Sequence, residues 1–536
     1  MVILISLSAI ADKLKLPYPI LLVSVGLFIG FVPFLPDLAL DPDIVFLMFL
    51  PPLLYDAASK TSWQDFKTSI KPISALAITL VFFTATAVAV AAHYVIPGFS
   101  WPLSFLLGAI VSPPDAVAAT SIIKNLGLNK KILTILEGES LVNDASALIA
   151  YRYALAAVST GAFIFWQAGL QFLYVAGGGI IVGLLIGQVF VLIHKQIKHN
   201  SLVETSLSLL TPFVSYLSAE HVHTSGVLAV VSAGLLVSRH ATEVFTYQTR
   251  MRNRAVWDTL IFLLNGFVFI LIGLQLPAIL KGLVAYTPAE LIGYGAMISA
   301  VTIAIRIAWV FSGAYYPLLF TTKKLASGLP AAQEEPEIAW KNVMIIAWVG
   351  TRGVVSLATA MALPLTLQDG SAFPQRGIIL FLGFVVIFVT LVVQGVSLPL
   401  LIRLLGVKPK EDTDQESKEL LLVIVTSVIH FIEQDFPGPL DDKLKGQMKS
   451  RYEQIADQLS REIIHLKKSG NEEGPLLFSP LSQLLSAQRE IARFQRHLLI
   501  KLHKEGRFSD TAIRKIEREL DVEEMRLNVL VEKAKE

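Results

Sequence analysis

Residues 138–144 read Gly-Glu-Ser-Leu-Val-Asn-Asp and place two carboxylates and an amide inside an apolar stretch that runs over residues 132–158. A charged side chain at the centre of a bilayer costs about 3 kcal/mol on insertion scales, so such residues mark places where a membrane protein binds or moves an ion. In a helix, Ser140 and Asp144 share one face, whereas Glu139 lies about 140° around the axis from Asp144. We expect Asp144 and Ser140 to face an ion cavity, and Glu139 to face a neighbouring helix and need a cationic partner.

Ser-Pro-Pro-Asp at residues 112–115 interrupts another apolar segment. Pro113 and Pro114 donate no backbone N–H, and their rings clash with carbonyls one turn earlier, so the carbonyls of residues 109–110 should be released. Released carbonyls in a membrane must line a cavity or find a partner, and a hard cation is a suitable one. Asp115 adds charge at the same place. Two interpretations stay open and can coexist: an ion site, or a kinked helix whose second half Asp115 caps.

Two arginines also fall within apolar segments, Arg306 in mid-segment and Arg352 within Gly-Thr-Arg-Gly at residues 350–353. Arginine stays protonated in proteins, so each needs an anion or carbonyl oxygens. Arg352 lies at a second predicted helix break, where it could compensate the negative C-terminal ends of half-helices. Either arginine could form a structural ion pair with Glu139.

Charge is distributed unevenly along the 536 residues. Only 16% of them are charged, against about 25% in ordinary soluble domains. Residues 411–536 hold 44 of the 88 Asp, Glu, Lys and Arg residues. The distribution predicts a membrane domain over residues 1–410 and a soluble tail over residues 411–536. With no cysteine, a disulfide framework and a thiolate metal site are excluded.

Apolar runs of about 20 residues predict an all-α polytopic membrane protein. We place thirteen spans at residues 1–12, 17–34, 43–58, 69–93, 101–124, 132–158, 163–194, 201–219, 224–238, 256–279, 285–319, 339–365 and 376–406. Alternate loops carry 20 basic residues, while the opposite loops carry only Lys281 and Arg376. By the positive-inside rule, the N-terminus lies outside and the tail lies in the cytoplasm.

Thirteen spans suit two inverted six-helix repeats joined by one helix, with the fifth and twelfth spans interrupted. Inverted repeats place substrate sites near the midplane at interrupted helices. Asp56, which ends the third span, then lines the cytoplasmic entry or is a surface residue near the interface.

Four segments together resemble the signature segments of sodium/proton exchangers, in the electroneutral branch with an Asn-Asp motif. They are GESLVND, SPPDAVAAT, LPPLLYDAA and WVGTRGVVSLATAMALP. The resemblance extends over residues 1–406. It implies a homodimer of thirteen-helix chains in the cell membrane, multi-pass, that exchanges Na⁺ or Li⁺ for H⁺ in pH and sodium homeostasis. It implies no enzyme activity, cofactor or nucleic-acid partner; the ligands are the transported Na⁺ and H⁺.

The resemblance also assigns residues. It implies that Asp144 binds Na⁺ and protons, that Asp115 contributes at the unwound helix, and that Asn143 goes with one-for-one exchange. It pairs Glu139 with Arg306, and it places an acidic residue like Asp56 on the cytoplasmic funnel. One departure is that many relatives have Thr-Asp-Pro where this chain has Pro-Asp-Ala at residues 114–116. The threonine ligand is therefore missing, which leaves cation coordination and selectivity open.

Other functions remain to be weighed. A K⁺/H⁺ antiporter would use the same ligands, and a channel is a further candidate. An intramembrane aspartic protease also needs two membrane aspartates, but it requires a Gly-Asp pair, which occurs nowhere in this chain. The tail has helix-forming composition at residues 441–468 and 483–503. We expect a solvated helical bundle or a domain that senses pH, a nucleotide or the membrane surface.

Overall fold

The computed structural model describes residues 5–6, 18–32, 42–115, 130–160, 165–197, 200–283, 286–320, 340–367, 369–406, 412–435 and 442–468, and a few single positions between 491 and 520. Within these ranges the fold is all-α, and the β structure is limited to one isolated bridge between Thr366 and Ala372. The all-α prediction is confirmed. The chain divides into two compact units, Met1–Pro409 and Lys410–Glu536.

The first unit contains sixteen helices within the described residues. They are α1 Tyr18–Gly30, α2 Pro42–Lys60, α3 Trp63–Thr68, α4 Ile70–Ser74, α5 Val81–Val95, α6 Trp101–Val111, α7 Lys130–Thr160, α8 Phe165–Gln196, α9 Ser201–His221, α10 Gly226–Val244, α11 Tyr247–Lys281, α12 Pro288–Phe320, α13 Trp340–Trp348, α14 Val354–Met361, α15 Arg376–Val389 and α16 Gly395–Leu405. Two π-helical turns, Ala75–Leu80 and Thr390–Gln394, join α4 to α5 and α15 to α16.

Eleven of the thirteen predicted spans coincide with these helices or helix pairs. The fifth does so only up to Val111, and the first, residues 1–12, lies almost wholly outside the described residues. Six helical stretches within the described ranges are individually long and apolar enough to cross a membrane. They are Ile70–Val95, Gly169–Gln196, Gly226–Val244, Tyr247–Pro277, Pro288–Gly313 and Arg376–Leu405.

Of the two predicted interruptions, the one in the twelfth span occurs as a break between two helices, and the one in the fifth span is described only as the end of a helix. Helix α6 ends at Val111, residues 112–115 are not helical, and the rest of that predicted span lies outside the described residues. The twelfth span is split into α13 and α14 by residues 349–353.

Helix α7, which carries the acidic motif, is enclosed by other helices. It contacts α6, α4, α5, α10, α13 and α14, so that side chains on several of its faces are buried. Lipid is as apolar as leucine, so close packing and hydrogen bonds rather than hydrophobic burial hold such helices together. Polar groups on α7 must therefore find partners on the surrounding helices.

The second unit contains α17 Asp412–His430, a π-helical turn Phe431–Asp435 and α18 Asp442–Lys468. Helices α17 and α18 pack against each other. Lys449 Nζ lies 2.5 Å from Glu433 Oε1, and this hydrogen bond lowers the pKa of Glu433. The predicted helix at residues 483–503 lies mostly outside the described residues.

Candidate ion-binding site

The two helix breaks meet each other. The backbone N–H of Asp115 donates to the Thr351 carbonyl at 2.6 Å, and the Thr351 hydroxyl donates to the Asp115 carbonyl at 2.8 Å. The two unwound segments, which are far apart in the sequence, therefore satisfy part of each other's backbone. Backbone outside a helix is tolerated at membrane depth only where protein or a cavity surrounds it.

Arg352 supports this crossing from the α13–α14 break. Its Nε donates to the carbonyl of Val111, the last residue of α6, at 2.8 Å, and its Nη1 donates to the Gly350 carbonyl at 2.9 Å. Its backbone N–H donates to Thr390 Oγ1, in the second π-helical turn, at 3.1 Å. A buried cation thus lies at the C-terminal ends of two half-helices, where it offsets their dipoles. Arg352 therefore lies at the second helix break, in the position that its Gly-Thr-Arg-Gly context suggested.

One of the two carbonyls that the prolines should release, that of Ala109, meets a protein donor, and two neighbouring carbonyls of the break do so as well. The Ser112 hydroxyl donates to the Ala109 carbonyl at 3.0 Å, and the Val111 carbonyl is taken by Arg352. The side-chain amide of Asn143 donates to the Pro114 carbonyl at 2.7 Å and ties α7 to the break. The Asn143 oxygen, which is also buried, accepts no hydrogen bond from the described residues.

Asp144, Asp115 and Ser140 line one cavity of about 50 Å³, which we call the central cavity. Asn265 of α11 and Ser356 of α14 line it as well, and most of the remaining wall is apolar. Asp144 is buried, and its carboxylate forms no ion pair or hydrogen bond with the described residues. About 10–15 Å³ of such space holds one water, so the central cavity is large enough for a small cation and water.

Gly353 lies directly against this site. A Cβ atom added at residue 353 would lie 1.7 Å from Oδ2 of Asp115, which no real contact permits. The glycine therefore allows the α13–α14 break to approach the Asp115 carboxylate.

Glu139, on another face of α7, binds Arg306 of α12 through both carboxylate oxygens. The two contacts are 2.6 Å, from Nη1 to Oε1, and 2.9 Å, from Nη2 to Oε2, and each side chain is 2% exposed. Arg306 also donates to the Ile346 carbonyl at 3.3 Å. Of the two arginines left open by the sequence, Arg306 is thus the one that contacts Glu139.

Asp56 lies apart from the central cavity. It lines a second cavity of about 470 Å³, the funnel cavity, together with Lys60, Ser59, Asn253 and Asp258 among others. Lys60 Nζ lies 2.9 Å from Asp56 Oδ2 and 2.8 Å from Asp258 Oδ1. The structure therefore separates Asp56 from Asp115 and Asp144, which share the central cavity.

Sequence reasoning missed three hydroxyls at the site. Thr351 and Thr390 hold the backbone of the two breaks, and Ser356 lines the central cavity. Thr351 and Ser356 lie in the motif WVGTRGVVSLATAMALP, which was the available signal, but the motif alone does not show which of its side chains face the site. Thr390 had no sequence signal, because it is an ordinary residue of an apolar segment.

Comparison with known proteins agrees with this architecture. Residues 1–404 match the family described as sodium/hydrogen exchanger, transmembrane. The sodium, potassium, lithium and rubidium/H⁺ antiporter of Bacillus pumilus is 31% identical over 424 residues, which are 77% of this chain and 60% of that protein's length. An uncharacterized Na⁺/H⁺ exchanger of Escherichia coli is 30% identical over 477 residues, 84% of this chain and 85% of its own length.

The fold has a counterpart among solved structures. The sodium proton antiporter MjNhaP1 of Methanocaldococcus jannaschii superposes with a TM-score of 0.57 at 20% identity, covering 76% of this chain and 97% of that one. At this identity the likeness concerns the fold alone. The match over residues 1–404 establishes that the chain belongs to the sodium/hydrogen exchanger family, multi-pass membrane antiporters that are transporters and not enzymes.

Proposed function

We propose that this protein exchanges Na⁺ or Li⁺ for H⁺ in a one-for-one, electroneutral reaction at Asp144. The observation that carries the proposal is the contrast between two buried carboxylates. Glu139 is neutralised by Arg306, whereas Asp144 has no cationic partner among the described residues and lines a cavity. A buried carboxylate without a partner is strongly disfavoured. Asp144 therefore requires a mobile positive charge, either a proton or a cation.

The mechanism follows from competition for one carboxylate. A cation that binds between Asp144 and Asp115 displaces the proton from Asp144, and a proton displaces the cation. Ser140 supplies a further oxygen, because hard cations prefer oxygen ligands. If the site faces one side of the membrane at a time, exchange needs no separate proton path. Asn143, which is neutral, leaves Asp144 as the single acid of its motif, which suits one-for-one exchange.

We also propose the architecture in which this exchange takes place. Thirteen helices form two inverted repeats, whose fifth and twelfth helices cross at the central cavity, and one bundle rocks against the other. The basic loops and the tail lie in the cytoplasm, so the funnel cavity, with basic residues around it, is the cytoplasmic entry past Asp56. We expect a homodimer in the cell membrane, in which residues 1–410 transport ions and residues 411–536 regulate transport.

Potassium is the second candidate cation. The Bacillus pumilus relative is described as acting on sodium, potassium, lithium and rubidium. The ligands at the central cavity are oxygen atoms, which bind Na⁺ and K⁺ alike. The cation is therefore to be decided by measurement.

The test uses purified full-length protein in liposomes that contain a pH-sensitive dye. A pH gradient is imposed, Na⁺, Li⁺ or K⁺ is added, and the dissipation rate is measured with the membrane potential free and clamped to zero. Asp144→Asn, which keeps the shape and removes the charge, should abolish exchange. The matched control is Asp369→Asn, which alters a carboxylate in an exposed turn, bonded to Ser371, and should exchange normally.

The outcomes separate the parts of the proposal. If clamping the membrane potential to zero leaves the exchange rate unchanged, the electroneutral reaction is supported. If the exchange rate changes when the potential is clamped, the electroneutral reaction is contradicted. Full activity of Asp144→Asn would show that the site is elsewhere. A wild-type protein that exchanges no monovalent cation would contradict the function itself.

A further inference from the structure

The wall of the central cavity includes a serine hydroxyl that has no role in the exchange described above. Ser356, in the first turn of α14, is 1% exposed and lines the cavity that Asp115 and Asp144 share. Its Oγ has no hydrogen-bond partner among the described residues. A buried hydroxyl in this condition is disfavoured by about 1–3 kcal/mol, so a bound group that contacts Oγ would recover that free energy.

Other hydroxyls on or near the same breaks are bonded. Thr359, three residues further along α14, donates to the Val355 carbonyl of its own helix, and Ser112 donates to the Ala109 carbonyl. Ser356 lies too close to the start of α14 to bond to a carbonyl four residues earlier on its own helix, and its Oγ has no partner among the described residues. Its oxygen is instead left available on the wall of a cavity that already contains two carboxylates.

The break after α6 offers few free oxygen atoms to a cation, so a further oxygen ligand would strengthen cation binding. Residue 114, immediately before Asp115, is a proline and has no side-chain oxygen, and its carbonyl is occupied by Asn143. Asp115 and Ser140 bring side-chain oxygens from the α6 break and from α7. An alkali cation gains from further neutral oxygens, because they replace lost water without adding charge.

We propose that Ser356 Oγ is a ligand of the transported cation. The proposal rests on the exchange function and specifies its site: the ion is held by oxygens from three elements, the α6 break, α7 and α14. A proton on Asp144 needs only one carboxylate oxygen, so Ser356 distinguishes the cation-loaded state from the protonated state. Removing its oxygen should weaken cation binding and leave protonation unchanged.

The experiment measures cation dependence in the same liposomes. Ser356→Ala removes the oxygen, Ser356→Cys replaces it with sulfur at similar size, and Ser356→Thr keeps it. We expect Ser356→Ala and Ser356→Cys to raise the KM for the cation about tenfold, which corresponds to about 1.4 kcal/mol. The maximal rate at saturating cation should change little, and Ser356→Thr should stay near the wild type.

Thr359→Val is the matched control. It removes a buried hydroxyl from the same helix, but this hydroxyl does not line the central cavity. It should leave KM unchanged. A second readout is the cation concentration that half-maximally raises the melting temperature in detergent, which should rise about tenfold in Ser356→Ala.

A wild-type KM in both Ser356→Ala and Ser356→Cys would overturn the proposal, as would an equal rise in Thr359→Val. These outcomes are distinguishable from failure of the function. If the wild type exchanges cations and Asp144→Asn is inactive, but the Ser356 variants bind normally, only the ligand assignment is wrong.

Discussion

Glu139 and Asp144 are five residues apart on α7, and both are buried, but their surroundings differ. Glu139 is held by both ends of the Arg306 guanidinium. The space beside this pair is about 10 Å³, at the lower limit of what one water needs. Asp144 lines the central cavity of about 50 Å³ and has no cationic partner among the described residues. One helix thus carries a fixed charge pair on one face and, on another, the carboxylate that we propose binds the transported ions.

This difference indicates how a membrane helix can contain two carboxylates at acceptable free energy. The Glu139–Arg306 pair is permanently neutral, and it connects α7 to α12 near the α13–α14 break. Asp144 is neutral only while it carries a proton or a cation. Substitutions on the Glu139 side should therefore change stability, and substitutions on the Asp144 side should change transport.

The largest effect on stability is expected for Arg306→Met, because it leaves the Glu139 carboxylate buried and unpaired. Breaking a buried ion pair at one partner costs about 3–5 kcal/mol. We expect the largest fall in melting temperature among the variants, measured by intrinsic fluorescence in detergent. Adding Glu139→Gln to Arg306→Met should restore much of the lost stability. Replacing both charges of a buried ion pair by uncharged groups often leaves the free energy of unfolding almost unchanged.

Asp144→Asn is the comparison for that measurement. It removes a buried carboxylate that has no cationic partner in the described part of the chain, so the melting temperature should stay the same or rise. The assignment of a fixed pair and an ion-binding acid would be wrong if Asp144→Asn destabilised the protein as strongly as Arg306→Met.

Two glycines of the α13–α14 break allow the ion pair and the central cavity to be compared through substitutions with smaller expected effects. A Cβ at residue 353 would overlap Asp115 Oδ2, while a Cβ at residue 350 would lie 2.6 Å from Cδ of Arg306. Overpacking typically costs about 1–3 kcal/mol. We expect Gly353→Ala to raise the cation KM at least about tenfold, the equivalent of about 1.4 kcal/mol, because the Asp115 carboxylate must move. Gly350→Ala should lower the melting temperature and leave the KM unchanged.

The two variants are each other's control, because both add one methyl group to the same short segment. The measurements are the melting temperature and the cation dependence of exchange. Equal KM values in the two variants would contradict the division between an ion-pair side and an ion-binding side.

Helical periodicity was enough to place Glu139 and Asp144 on different faces, because the angle between two residues depends only on their spacing. Proline chemistry likewise located the α6 break. Helical spacing could not choose between Arg306 and Arg352 as partner of Glu139, since the choice depends on which helices pack beside α7; only the family resemblance named Arg306. The position of Ser356 on the cavity wall could not be predicted for the same reason.

Helix ends show another limit of sequence reasoning. The tenth span was predicted to begin at residue 256, but α11 begins at Tyr247. The turns between residue 247 and residue 256 contain Arg250, Arg252 and Arg254. A hydropathy criterion ends a predicted span at such charged residues, although arginine favours helix. A helix can continue beyond the membrane, and only its apolar part is visible in hydropathy.

The smallest effect is expected at another charged residue of α7, Arg152, eight residues after Asp144. Its Nη2 lies 3.1 Å and 2.9 Å from the two carboxylate oxygens of Glu220 on α9, but the side chains are 52% and 29% exposed. Water and salt screen such pairs, which contribute about 0–1 kcal/mol. Glu220→Gln should therefore lower the melting temperature slightly at low salt and not at high salt. A loss as large as that of Arg306→Met would mean that burial is not what distinguishes the Arg152–Glu220 pair from the Glu139–Arg306 pair.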